Sequence, residues 1–538
     1  MKIAKIEITN FRSIKHLVVF PQQLCALIGP NSVGKTNVLK AIDLVIGEGW
    51  TTKAKVAREL FNNVDNPIVI KIDFEFPVIC QNSRGQDVSV NSIELTMSLN
   101  PELKAKTTIN GGQDFWAQDN FKKLYHFIYL PASRQLSDEL RISNWTMLGK
   151  LMKLVHDNYI NHYGDESTLK EEFEKRMQPA KDFLECDFNA DADVVTFKNF
   201  ADTFIDSCRS NGSGLANDFE PKLNIYNLNW FYKTLQINIK ESFPDKVFDA
   251  EEVGAGMQNL ILISIFQTYA KLMGGNVIFG VEEPEIFLYP QAQRSLYKTL
   301  INLSEDSQIF YTTHNPNFVD AYRADEIEIL QKTSERGTYN LSKSNFVSRE
   351  VAEKYKFKIY TNFNTERNEI FFSRKVILVE GDSDKILWST ICLEKWGIDL
   401  DKKGIAIIEC GGKGGVNYFI GVCRMMGIDY FAIWDQDNDN LNPEVNCLAG
   451  ALIDSKGYEI PGNLEIFLRS KFPQAQFRGN NKVEDAYNWA VGVNNSDIPS
   501  EFIVVKDFLS NTPVIDESFS SESDYEDNEE LEVINIPF

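Results

Sequence analysis

Two sets of residues carry most of the chemistry in this chain. The first is Gly29-Pro30-Asn31-Ser32-Val33-Gly34-Lys35-Thr36, which fits G-x-x-x-x-G-K-[ST] at every fixed position. Glycines at those places let backbone N–H groups close around phosphate oxygens. Lys35 reaches the outer phosphates of a nucleotide, and the Thr36 hydroxyl ligates Mg²⁺. Gly29, Asn31 and Gly34 are the further candidate nucleotide contacts of the loop. Downstream, the apolar run Asn276 to Val281 ends in Glu282-Glu283-Pro284-Glu285. There Glu282 suits the Mg²⁺ shell, and Glu283 can orient or deprotonate an attacking water. His314 follows the apolar run Gln308 to Thr313, where a γ-phosphate sensor is expected.

The second set lies near the other end. The apolar run Lys375 to Val379 leads into Glu380-Gly381-Asp382-Ser383-Asp384. Glu380 then sits at the carboxyl end of a strand and Asp384 in the first turn of the next helix, the edge where ligands bind in open α/β sheets. A second apolar run, Tyr430 to Trp434, ends in Asp435-Gln436-Asp437, whose D-x-D spacing points both carboxylates the same way on an extended segment. Carboxylates that converge on one sheet edge repel each other and suit Mg²⁺ or Mn²⁺. Two such ions can clamp the attacking and leaving oxygens of a phosphodiester.

The elements that must hold these residues follow from pattern. Leu24 to Ile28 reads as a buried strand and Val38 to Val45 as an amphipathic helix, the strand–loop–helix context a phosphate loop needs. Residues 1–20 read as strand, turn and strand, and residues 66–130 as strand-rich with period-two alternation. Residues 137–240 turn helical without sustained heptads, a packing arm or a surface for self-association. Gly254-Ala255-Gly256-Met257-Gln258 precedes an apolar helix, as a second anion-binding helix start or a plain initiating turn. The domain reading is residues 1–136 with 241–330, an insertion 137–240, a linker 331–372 and a second domain 373–510.

Bulk properties bound the function. A length of 538 residues implies roughly three to four domains. No apolar stretch reaches transmembrane length, so no membrane partner is expected. The start alternates like a strand and has no signal-peptide core, so the expected location is cytoplasmic. Eight cysteines without a C-x-x-C pair read as buried free thiols. A net charge of −22 argues against a protein that coats nucleic acid generally. Part of that charge is local, since no Lys or Arg follows Lys506 and Asp516 to Glu532 holds nine acidic residues. The segment 511–538 reads as a disordered tail, either simply solvated or acting as a DNA-mimicking autoinhibitor.

The first set, with Asn10-Phe11-Arg12 ahead of it and Thr313-His314-Asn315 behind, resembles the ATP-binding head of the ABC/SMC/RecF superfamily. That resemblance implies that Arg12 contacts nucleotide. It also implies that Gly254, Gly256 and Gln258 of one protomer complete the ATP site of another, hence a homodimer or higher homo-oligomer. The chain departs from the pattern in lacking the signature serine and in carrying Glu282 in place of Asp. The second set resembles a Toprim domain. The two together resemble the OLD (overcoming lysogenisation defect) family of ATP-dependent nucleases, which includes Gabija-type and retron-associated antiphage effectors. By that resemblance the fold is α/β, an ABC-type ATPase head with a helical insertion used for dimerisation, followed by a parallel-sheet, Rossmann-like Toprim domain. Glu380, Asp384, Asp435 and Asp437 would be metal ligands, with Glu380 also in acid–base chemistry. Glu465 would serve a second metal and Lys482 would stabilise transition-state charge. Asp384 stands where Glu is commoner.

The expected cofactors are ATP and Mg²⁺, with Mn²⁺ an option at the Toprim site. The expected function is an ATP-regulated, divalent-metal-dependent DNA endonuclease in antiphage defence. Its expected partners are DNA, copies of itself and a second protein or nucleic-acid component of the defence system. Two other readings stay open. One is an ATP-dependent sensor or scaffold whose Toprim domain acts on RNA or only with a partner. The other is a RecF-like repair ATPase.

Overall fold

Apolar runs that are buried at every position build the parallel half of a large sheet. Leu24–Ile28, Val277–Glu282 and Gln308–Thr312 are buried along their whole length. Strands covered on both faces read in this way, because no side chain reaches water. In the computed structural model the description covers residues 2–47, 49–81, 85–114, 121–122, 126–133, 146–185, 196–211, 237–241, 246–250, 252–272, 277–341, 364–436, 447–472 and 481–510, with 221, 232 and 235. The chain forms two compact units, residues 1–132 with 273–538, and residues 133–272.

In the first unit, a twelve-stranded sheet has a parallel half in the order Ile327–Thr333, Leu24–Ile28, Gln308–Thr312, Val277–Glu282 and His126–Leu130. Its antiparallel half continues through Gly337–Asn340, Ile14–Val19, Ile3–Phe11, Ile68–Gln81 and Asp87–Ser98 to Lys104–Ile109 and Gln113–Asp114. Helix Lys35–Ile46 buries Val38, Leu39, Ala41, Ile42, Val45 and Ile46 against this sheet. Their three- and four-residue spacing puts them on one face, and each large one contributes about 1.5–3 kcal/mol of apolar burial.

The sheet runs past residue 330, into the stretch read as linker. Thr338 donates its N–H to Ser13 O at 2.8 Å, and its hydroxyl donates to Val33 O at 2.6 Å. These partners lie more than 300 residues away in the chain, so no local pattern announces the strand.

The same unit carries a four-stranded parallel sheet in the order Ile405–Glu409, Lys375–Val379, Asp429–Asp435 and Gly457–Ile460. Helices Asp382–Thr390, Lys413–Met426, Leu464–Lys471, Lys482–Gly492 and Ile503–Ser510 accompany it. Its core includes Trp388, whose ring lies 4.5 Å from that of Phe502. The fold is α/β, as expected, with a parallel-sheet domain behind the larger head.

The second unit holds helices Met147–Tyr163, Glu166–Glu185, Phe197–Asn211 and Ala255–Leu272 and the hairpin Asn238–Glu241 with Lys246–Asp249. It takes in the Gly254 to Gln258 segment. The acidic stretch 511–538 and Asp437 lie outside the described residues. Cys25, Cys80, Cys392, Cys410 and Cys423 are buried free thiols. Among the described residues no helix is long and apolar enough to cross a membrane.

Candidate functional site

The phosphate loop leaves strand Leu24–Ile28 with a backbone that glycine alone adopts easily. Gly29 has φ 137° and Gly34 φ 110°. A Cβ on Gly29 would stand 2.2 Å from Leu330 O, and one on Gly34 would stand 2.6 Å from the Thr338 hydroxyl. Lys35 is folded back over its own loop. Its ammonium donates to Gly29 O at 2.9 Å and Pro30 O at 3.0 Å, and lies 2.8 Å from His314 Nε2. Burial lowers the Lys35 pKa to about 8, against the opposing charges of Glu283, Glu282 and Glu285. His314 is lowered by burial and by the Lys35 charge, with Glu283 opposing. A neutral His314 that accepts at Nε2 is the state compatible with a Lys35 donor.

The carboxylates close the other side. Glu282 accepts the Ala132 N–H at 3.1 Å. Glu283 has φ 42° and places Oε1 3.5 Å from His314 Nε2. Burial, then the Glu285 charge, raises Glu283 to about 7, with His314 and Lys35 opposing. Glu285 accepts from the Thr313 hydroxyl and, at 3.3 Å, from the His314 N–H. Glu285 therefore orients the segment that carries His314. The pocket so formed has a volume of about 370 Å³ and is lined by Lys35, Thr36, Glu282, Glu283 and His314 among others. Arg12 places Nη1 3.5 Å from Oδ1 of Asn37, which lines the pocket, and has a buried Nε with no hydrogen-bond partner among the described residues. Asn31 lines a different, larger cleft next to this pocket. Gly254, Gly256 and Gln258 belong to the second unit, where Gln258 donates to Val253 O at 2.9 Å at the start of helix Ala255–Leu272.

The smaller sheet brings the second set to one edge. Glu380 follows strand Lys375–Val379, and its Oε1 accepts the Asp435 N–H at 2.9 Å. Asp435 ends its own strand and accepts the Leu464 N–H at 3.0 Å. Asp384, in the first turn of helix Asp382–Thr390, accepts the Gly381 N–H at 3.3 Å. Glu465 opens helix Leu464–Lys471 and pairs with Lys482, the first residue of its helix, at 2.7 Å. Burial raises Asp384 to about 7, with Glu380 and Glu465 adding to it. Burial also raises Asp435 to about 7, and the Asp384, Glu380 and Glu465 charges add to it. Lys482 is raised by its bond to Glu465 and by the Asp435 and Asp384 charges.

Among the described residues no group of three or more His, Cys, Asp or Glu side chains stands ready at metal-holding geometry. The donor chemistry nevertheless fits a hard divalent cation. All the donors are carboxylate oxygens, and the burial and mutual repulsion that raise Asp384 and Asp435 are what a cation would offset.

Residues 364–371, inside the stretch read as linker 331–372, join the two sets. The Asn368 amide donates to Pro316 O and Val319 O, each at 3.0 Å, just beyond His314. Arg367 donates to Glu409 O at 2.8 Å and pairs with the Glu409 carboxylate at 2.7 Å. Glu366 pairs with Lys385, the neighbour of Asp384. Glu285, Thr313 and Asn368 thus complete a site that motif spacing alone did not reveal. The position of Glu285, two residues past Glu283, was the one available signal.

Comparisons with known proteins agree with both halves. A family described as AAA ATPase domain matches residues 1–118 and 81–319. A family described as overcoming lysogenization defect protein-like, TOPRIM domain, matches residues 371–437. An OLD nuclease of Thermus scotoductus is 27% identical over 81% of this chain and 82% of its own length. The Old nuclease of Escherichia phage P2 is 22% identical over 85% of this chain and 82% of its own. The endonuclease GajA of Bacillus cereus is 22% identical over 81% of this chain and 75% of its own.

Proposed function

The chain belongs to the AAA ATPase domain family and carries an OLD-like TOPRIM domain behind it, and from that premise we propose an ATP-regulated, divalent-metal-dependent DNA endonuclease. The observation that carries the cutting role is the carboxylate edge of the smaller sheet. Glu380 with Asp384, Asp435 and Glu465 come from three separate segments, and their charges act on one another. Such a set is costly unless a cation joins it. The nuclease names of the relatives favour the same reading.

The residues divide the work as follows. Lys35 exchanges its carbonyl partners for phosphate oxygens, which frees His314 to meet the terminal phosphate. Thr36 and Glu282 would hold Mg²⁺. Glu283, with its pKa near neutrality, takes a proton from the attacking water. Arg12 and the loop amides steady the nucleotide. Across the chain, Glu380, Asp384, Asp435 and Glu465, with Asp437, would hold divalent ions, Mg²⁺ or Mn²⁺. A bound divalent ion supplies Lewis acidity to the phosphodiester and lowers the pKa of the attacking water. Glu380 orients by its bond to the Asp435 amide and stands ready to move a proton. Lys482, raised and held by Glu465, offers a cation to the charge that grows on phosphate.

Regulation passes through residues 364–371. His314 and Pro316 belong to one short segment, and Asn368, just ahead of the Toprim domain, binds that segment. A shift at His314 is felt at Arg367 and Lys385. The remaining parts of the reading rest on the family resemblance: DNA as substrate, assembly of copies through the second unit with Gly254, Gly256 and Gln258, a cytoplasmic location and a role in antiphage defence. The test is cleavage of supercoiled plasmid with Mg²⁺ or Mn²⁺ and with ATP present or absent. Glu380→Gln should lose cutting and keep ATP turnover. Equal cutting by this variant and wild type would refute the site.

A further inference from the structure

A second and larger cleft adjoins the phosphate loop and shares Ser32, Val33 and Lys332 with the nucleotide pocket. Its volume is about 960 Å³, and it runs from Asn31 and Lys332 to Arg374, Lys402, Lys403 and Ser510. It is basic within a chain whose net charge is −22. Among the described residues Lys332 and Arg374 have no ion-pair partner. Lys402 pairs with Asp399 at 3.3 Å and keeps its side chain 84% exposed. Lys403 donates to Leu509 O at 3.4 Å, at the end of helix Ile503–Ser510. Glu335 is the acid on its lining.

The position of Ser510 identifies an occupant. The helix that ends there delivers the chain directly to the cleft, and the segment 511–538 follows. Asp516 to Glu532 carries nine acidic residues and no basic one. An extended chain advances about 3.3–3.6 Å per residue, so the first acids lie within about 20 Å of Ser510. A tether this short holds the acids at an effective concentration in the millimolar range. We propose that this basic cleft is the docking site of the chain's own acidic segment, Asp516 to Glu532. Docked there, the segment covers the Asn31 side of the phosphate loop and competes with any other polyanion, including a nucleic-acid strand. This inference does not depend on the nuclease reading, because it concerns binding alone.

The test uses the full chain with its acids from Asp516 to Glu532 changed to Asn or Gln, and a fluorescent peptide of residues 511–538. The peptide should bind this protein by anisotropy and bind the wild-type chain more weakly, because the native segment competes. Affinity should fall as salt rises. Adding Lys402→Glu and Lys403→Glu to the tail-neutralised protein should weaken the peptide by at least about tenfold. Lys402→Gln with Lys403→Gln, checked for an unchanged Tm, should give a smaller loss in the same direction. Absence of peptide binding overturns the proposal, and so does binding that the Lys402 and Lys403 changes leave intact. A DNA oligonucleotide that binds through Lys402 and Lys403 equally well with native and neutralised tails would also overturn it, by assigning the cleft to nucleic acid.

Discussion

The side-chain amide of Asn368 donates a 3.0 Å hydrogen bond to the carbonyl of Pro316, which ties the stretch that leads into the Toprim domain to the segment that carries His314. The same amide donates to Val319 O at 3.0 Å. Asn368 is buried, so these bonds have no water to replace them. On one side Glu285 holds the His314 segment, and on the other Arg367 and Glu366 hold the sheet edge.

Asn368→Ala should therefore separate the two activities. ATP turnover should stay within about twofold of wild type, while the ratio of cutting with and without ATP moves toward one. Loss of the buried amide should also cost about 1–3 kcal/mol of stability, read as a lower Tm. An unchanged ATP effect on cutting would show that coupling runs elsewhere.

Lys35→Ala should abolish ATP turnover, with a loss of at least about 100-fold. Gly34→Ala should do the same for a different reason. Gly34 has φ 110°, and a Cβ there would meet both the Thr338 and the Ser13 hydroxyls. Its cost of about 1–3 kcal/mol should appear in thermal unfolding even without nucleotide.

Glu283 is raised to about 7, so it acts as a base only where it is ionised. ATP turnover should fall as pH drops from about 8 to about 6. Glu283→Gln should lower turnover by about 10²–10⁴-fold, flatten that pH dependence and leave nucleotide binding in place.

Asp384 and Asp435 are both raised to about 7. Their folded-state values lie above those of the unfolded chain, so the folded protein binds more protons between the two. Stability from these groups is then lost as pH rises toward about 7 and above. A divalent ion held by the ionised pair offsets that loss. The rise in Tm caused by Mn²⁺ should be larger at about pH 8 than at about pH 6, and Asp384→Asn should shrink it. Equal Tm shifts at both pH values would remove these residues from the metal site.

Much of this was legible because buried parallel strands announce their own ends. Lys375 to Val379 and Tyr430 to Trp434 are apolar runs, and the first polar residues after them, Glu380 and Asp435, fall on the edge where the site forms. The phosphate loop is equally local. What escaped is what long-range polar contacts create. Thr338 meets Ser13 and Val33 across most of the head, and Asn368 meets backbone carbonyls that bear no sequence signal. Glu465 and Lys482 came from resemblance, and their 2.7 Å pairing could not be read from spacing because separate helices supply them.

Nucleotide chemistry at Lys35 and phosphodiester chemistry at Asp435 should be separable activities of one chain. The most direct measurement compares wild type and Asp435→Ala in two assays on the same preparation, ATP turnover and metal-dependent cutting of supercoiled plasmid. Asp435→Ala should keep ATP turnover within about twofold and lose cutting by at least about 100-fold. Cutting by Asp435→Ala at the wild-type rate would contradict it.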